Sequence, residues 1–229
     1  MYKIGIVTIG QSPRDDAASQ MRRYLTHEAQ ILQRGALDDL DPEAVAALRP
    51  KEGQHTLVTK LRDGSEVKVA HEEVVPRMQK AVDALVEEGA ELIVLWCTGD
   101  FPMLQAERPI LRPGKLLRAV LTALAGEARL GVVVPSAEQV PIGQQQLAGL
   151  DVVVTHASPY AASETWEEAW RRAARELNAS GVDLVYLDCM GMDEGAKSIV
   201  RQVTHKPVVL ASSVVSRIVD ELIAQDRWC

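Results

Sequence analysis

The chain is poor in aromatic residues and carries no concentration of positive charge. Phe, Trp and Tyr together make up 4% of its 229 residues, too few for a stacking platform on single-stranded nucleic acid. The formal net charge is −7 and there is no basic block, so the electrostatic stripe that nucleic-acid binding needs is missing. No apolar run approaches the ~20 residues of a membrane span. The opening "MYKIGIVTIGQSPRDD" has one Lys and a short apolar stretch, then Gln, Pro and acids; it lacks the long apolar core of a secretory leader and reads as a first strand. Cysteine is scarce as well. Three cysteines without CxxC spacing suit a reducing cytosol better than a disulfide framework, and without HExxH no metal motif is visible. The expectation is a cytoplasmic protein with no nucleic-acid partner, no membrane partner, no metal and no cofactor.

What the sequence does contain is alternation. Apolar, β-branched runs at 3–10, 91–97, 129–135, 151–157, 183–189 and 207–212 are separated by amphipathic stretches near 14–25, 72–89, 113–125, 162–179, 193–202 and 213–225. Continuous apolar strands between helices predict an α/β fold with parallel sheets covered on both faces. One segment breaks the alternation. "HTLVTKLRDGSEVKVA", 55–70, alternates polarity around Asp63-Gly64, a strong hairpin signal. The preceding "DDLDPEAVAALRP" is a short helix closed by Pro50.

The second half repeats the first. "VEEGAELIVLWCTGDF" (86–101) sets beside "LNASGVDLVYLDCMGMD" (177–193): a helix end, a glycine, an acid, an apolar strand, a cysteine, and a glycine two residues on. Strand-and-helix grammar does not demand that Cys-x-Gly coincidence, so it points to duplication. The predicted fold is two Rossmann-like halves related by a pseudo-two-fold, with the hairpin inserted in the first. Residues 1–112 plus 213–229 form one half and 113–212 the other, with a ligand cleft between them.

In parallel α/β sheets, ligands bind beyond the carboxyl ends of the strands, where Cys97 and Cys189 lie. Facing each other across a cleft, they would set one sulfur on each side of a ligand. Inversion of a carbon acid needs that arrangement: a thiolate, its pKa lowered by nearby dipoles, takes the proton, and the opposite thiol returns one. Gly99 and Gly191 let the backbone approach a ligand and free N–H groups for developing negative charge, and Thr98 adds a hydroxyl. A second candidate region is the turn after the first strand, where Thr8, Gln11 and Ser12 are polar and Arg14 would clamp a carboxylate. "VPSAEQVP", 134–141, occupies the matching place in the second half, with Ser136 and Glu138 as helix caps. His156 reads as a satisfied structural histidine, His27, His55, His71 and His205 lie in surface-like contexts, and Cys229 is expected to be inert.

The "TIGQSPR" opening, the "LDCMGM" of the second half and the overall length resemble the AroM family, which is similar in turn to the aspartate/glutamate racemase superfamily. The resemblance implies an active site between two halves, one catalytic cysteine from each, and no cofactor or metal. Cys97-Thr98 matches the superfamily's first-half cysteine and its small polar neighbour. Cys189-Met190-Gly191-Met192 resembles the second-half Cys-x-Gly-Met of the hydantoin-type racemases, which adds Met190 and Gly191 to the expected substrate-binding set. Amino-acid racemases carry Thr where Met190 stands, which points away from free glutamate or aspartate. The function expected is a cofactor-independent racemase or isomerase of a small carboxylate or hydantoin-like carbon acid. The alternatives are a one-cysteine decarboxylase or lyase using Cys189, and a small-molecule-binding regulatory protein without catalysis. A homodimer is the commonest assembly for such enzymes.

Overall fold

A computed structural model describes residues 1–161 and 163–224 of the chain; Cys229 and the expected helix ends at 162 and 225 lie outside them. The first half opens with β1 (Tyr2–Thr8), α1 (Asp15–Arg22), β2 (Ala29–Gly35) and the short α2 (Pro42–Ala47), followed by the hairpin β3 (Thr56–Lys60) and β4 (Glu66–Ala70). Then come α3 (His71–Glu87), β5 (Leu92–Leu95) and β6 (Ile110–Leu111). The chain continues through α4 (Pro113–Ala125), β7 (Leu130–Val134), α5 (Val140–Gln146), β8 (Val152–His156), α6 (Ser163–Ala179), β9 (Leu184–Leu187), α7 (Glu194–Thr204), β10 (Val208–Leu210) and α8 (Ala211–Ile223).

The two halves share one topology. The first sheet runs β2-β1-β5-β6 and the second β8-β7-β9-β10, and every pairing within them is parallel. The likeness extends to register. Ile4 of β1 pairs with Leu92, and Cys97 follows Leu92 by five residues; Leu130 of β7 pairs with Leu184, and Cys189 follows Leu184 by five. Gly5 and Gly131 then occupy equivalent strand positions, each under a helix leucine, Leu85 or Leu177.

Apolar strands arise because both sheet faces are covered. Ile4 and Ile6 of β1, Leu92 and Val94 of β5, and Leu130, Val132 and Val134 of β7 meet in one core with α4 and α8 residues such as Leu117, Leu121, Val215 and Val219. This shared layer joins the halves. The opposite faces close separately, Val7, Ile93 and Leu95 against α3 and the hairpin, Val133, Val185 and Leu187 against α6 and α7. The carboxy-terminal helix returns to the first half, where the Thr26 N–H and hydroxyl donate to the Asp220 carboxylate at 2.7 and 2.9 Å.

Three elements escape the sequence pattern. Strand β2, "AQILQRG", is an edge strand with exposed Gln30 and Arg34, so its apolar signal is diluted. Strand β6 has two residues, too short to show a period. Helix α5 has seven, and its expected side-chain caps are absent: Ser136 makes no cap bond, and Glu138 pairs with Lys68 at 2.8 Å instead. The hairpin forms as expected, with Gly64 at φ +92° in its turn. It reaches across to the second half: Lys68 meets Glu138, the Ser158 hydroxyl donates to Glu66, and the Gln139 amide donates to the Thr56 carbonyl at 3.1 Å. Among the described residues no helix is long and apolar enough to cross a membrane.

Candidate active site

Cys97 and Cys189 stand two residues beyond the third strand of each sheet and line one cavity. Their local geometry matches. The Gly99 N–H donates to the Cys97 sulfur at 3.3 Å, and the Gly191 N–H donates to the Cys189 sulfur at 3.4 Å. The strand ends are also tied across the cleft, because the Thr98 hydroxyl donates to the Asp188 carbonyl at 3.4 Å. The cavity has a free volume of only about 40 Å³.

Burial reverses the expected direction of the thiol pKa values. Desolvation pushes Cys97 up to about 12; the Gly99 N–H opposes this, while Cys189 and Asp188 reinforce it. Cys189 is pushed up by burial to about 11, with the Gly191 N–H and the Arg14 charge working against the rise. Both groups are thiols at neutral pH, and Cys189 is the easier to ionise. Iodoacetamide should therefore modify the unliganded protein slowly at pH 7. Labelling followed by intact mass should climb about tenfold per pH unit through pH 10, Cys189 first. Rapid labelling of both at pH 7 would contradict this electrostatic picture.

Arg14 lies close enough to Cys189 for its charge to act there, but it is not an open clamp. It is 3% exposed, and its guanidinium grips Asp16 with Nε at 2.8 Å and Nη2 at 2.7 Å. The same Nη2 meets the Tyr160 hydroxyl at 3.3 Å, and the guanidinium stacks 5.3 Å from the Tyr160 ring centre. Tyr160 in turn lies against the Gly191 backbone: a Cβ there would fall 2.1 Å from the phenol oxygen, so any larger residue would force the Tyr160 ring to shift.

The other groups of the first turn are occupied internally. The Thr8 hydroxyl is buried and accepts from the Gly10 N–H at 3.4 Å. The Gln11 amide donates to the Leu37 and Leu40 carbonyls at 3.2 and 3.3 Å and accepts from the Arg62 N–H at 3.1 Å. Ser12 donates to Asp38 through its N–H at 2.5 Å and its hydroxyl at 2.6 Å. Thus Cys97, Cys189, Thr98 and Gly99 come together at the cavity, while Thr8, Gln11 and Ser12 do not line it. Met190 is fully buried in the shared core and is not among the residues that line the cavity.

A model of the AroM protein family matches residues 4–223. The chain belongs to that family. Solved structures share the fold of this AroM-family chain over nearly its whole length. Allantoin racemase from Klebsiella pneumoniae superposes with a TM-score of 0.66 at 17% identity, covering 98% of this chain and 88% of that one. Aspartate racemase from Picrophilus torridus gives 0.63 at 14% identity, covering 97% and 94%. An unliganded arylmalonate decarboxylase gives 0.55 at 17% identity, covering 98% and 93%. No curated protein sequence matches the chain.

Several cavity residues were not anticipated from sequence. Asp188 lines the cavity beside Cys189; the Tyr186 hydroxyl donates to its carboxylate at 2.9 Å, and burial raises its pKa. An acid directly before a cysteine at a strand end was the available signal. His55 also lines the cavity, which corrects its surface-like reading. It stacks on His71 at 5.2 Å, and His71 stacks on Phe101 at 5.1 Å. Burial and the neighbouring His71 hold the His55 pKa down. His156, by contrast, is outside the cavity lining, and its carbonyl accepts from Arg172 at 2.8 Å. Among the described residues no group of three or more His, Cys, Asp and Glu side chains could hold a metal ion.

Proposed function

We propose that this AroM-family chain is a cofactor-independent racemase or isomerase acting on a small carbon acid by proton transfer between Cys97 and Cys189. The observation that carries this reading is the pair of sulfurs on one cavity, each at the end of an equivalent strand with a backbone N–H aimed at it. One sulfur takes the α-proton as a thiolate and becomes a thiol. The electron pair left on carbon delocalises into the adjacent carbonyl. The opposite thiol then returns a proton to the other face and becomes the thiolate, so the proton count is unchanged and the centre is inverted. Cys189, whose rise the Arg14 charge opposes, is the thiol that gives up its proton more readily to start the cycle. The Gly99 and Gly191 N–H groups steady whichever sulfur is ionised.

The state of Arg14 bears on the substrate. A ligand carboxylate reaches this guanidinium only by displacing Asp16 from a bidentate pair, a competition between like groups. That favours the hydantoin-like class over free carboxylates. The asymmetry between the thiols supports a second reading, a decarboxylase or lyase in which Cys189 alone handles the proton. A cytoplasmic setting, which keeps thiols reduced, and a homodimer belong to the same proposal.

The test is exchange. Monosubstituted hydantoins, amino acids and substituted malonates are incubated with the protein in heavy water, with NMR reporting the α-hydrogen and polarimetry the hand. Exchange above the uncatalysed rate together with loss of optical rotation is the expected result. Carbon dioxide release from a malonate with no racemisation would replace this reading with the decarboxylase. Neither event with any compound would leave a binding protein.

A further inference from the structure

We propose that Gln139 selects the ligand. Its side-chain oxygen accepts an N–H from a neutral carbon acid bound between the cysteines, a cyclic ureide or amide rather than a dicarboxylate. The assignment starts from a fixed amide. The Gln139 side chain meets the Thr56 carbonyl at 3.1 Å, and a carbonyl can only accept, so the nitrogen Nε2 must face Thr56. The oxygen Oε1 then points the other way. It is buried and has no hydrogen-bond partner, and Gln139 lines the cavity that holds both sulfurs. Buried acceptors are rarely left unmet, and one left open on a residue that lines a cavity is where a ligand donor would be met once that cavity fills.

The matching turn of the first half makes the contrast. Gln11 there has both ends of its amide engaged by the protein, on the Leu37 and Leu40 carbonyls and the Arg62 N–H. Two related turns each carry a glutamine, and only the one at the cavity keeps an acceptor open. The remaining charge in the cavity agrees. Among the described residues no Lys or Arg lines it, and its one acidic side chain is Asp188. A dicarboxylate would meet that acid with no cation in the lining, since Arg14 acts on Cys189 from outside it and is already paired with Asp16, whereas a ureide offers N–H donors and no charge.

This rests on the proposed function only in placing the ligand between the thiols, and binding tests it apart from turnover. Titration calorimetry compares 5-methylhydantoin with its N1-methyl and N3-methyl forms and with methylmalonate, on the wild type, Gln139→Leu and Gln139→Met. The wild type should bind 5-methylhydantoin at least about tenfold more tightly than one of the N-methyl forms, as expected for a lost bond to a buried group. Both Gln139 variants should reduce that ratio to near one. Loss of the Thr56 contact alone would weaken all hydantoins together and leave the ratio standing, which would overturn the proposal. So would equal binding of all three by the wild type, no hydantoin binding, or tighter binding of methylmalonate. If the leucine variant fails to fold, the wild-type ratio and the methionine variant decide. An N–H preference without racemisation would sink the two-thiol mechanism and keep Gln139; racemisation without the preference would do the reverse.

Discussion

Cys97→Ser and Cys189→Ser should each abolish racemisation, by about 10²- to 10⁴-fold as for loss of a general acid or base. Each should also leave a residual activity of opposite hand. The sulfurs lie at matching strand ends of two related halves, and in the proposed mechanism each serves one face of a ligand between them. A single variant retains the base for one enantiomer and lacks the acid that completes inversion. In heavy water, Cys97→Ser should exchange the α-hydrogen of one enantiomer and Cys189→Ser that of its mirror image. The measurement is proton NMR on resolved substrate, and a cysteine that merely packs cannot produce opposite hands. If Cys97→Ser leaves the wild-type rate intact, the Cys189-only reading takes over.

Gly10→Ala should be among the most destabilising single substitutions in the chain. A Cβ at residue 10 would lie 2.1 Å from the Lys60 carbonyl oxygen and 2.6 Å from the Thr59 hydroxyl. Lys60 is backbone of β3, so no rotamer change relieves the contact; the hairpin itself must move. Overpacking of this kind costs about 1–3 kcal/mol. Each kcal/mol lowers Tm by about 2–4 °C in a domain of this size. The hairpin also carries His55, Leu57 and Val58 on the cavity, so catalysis should fall with stability. Gly191→Ala offers a comparison, since its clash is with the far end of a side chain, Tyr160. Its Tm should drop less, and its main effect should be to disturb the Arg14–Tyr160 contact beside Cys189. Differential scanning calorimetry on both variants checks the order; a Gly10→Ala protein with wild-type Tm would show that the hairpin does not seat on this turn.

The sequence alone was enough for the architecture. Apolar runs at β1, β5, β7 and β9 read as strands because burial on both faces removes polar alternation. The Cys-x-Gly repeat read as duplication because it marks the same register step in both sheets. The Asp63-Gly64 pair placed the hairpin because turn chemistry is local. Edge strand β2 and two-residue β6 carry too little burial to leave a pattern.

Tertiary structure alone decided which polar groups face a ligand. Gln11 and Ser12 have the composition of a binding turn, yet their partners, Leu37, Asp38, Leu40 and Arg62, lie 26 to 51 residues away. Arg14 finds Tyr160 across 146 residues. Gln139, Asp188 and His55 enter the site because the hairpin and the two sheets converge on one cavity, a convergence that no local pattern encodes. The thiols show the same division most clearly. Their positions follow from strand periodicity, which neighbouring residues set, whereas their ionisation follows from desolvation between two halves that meet only when the chain is folded.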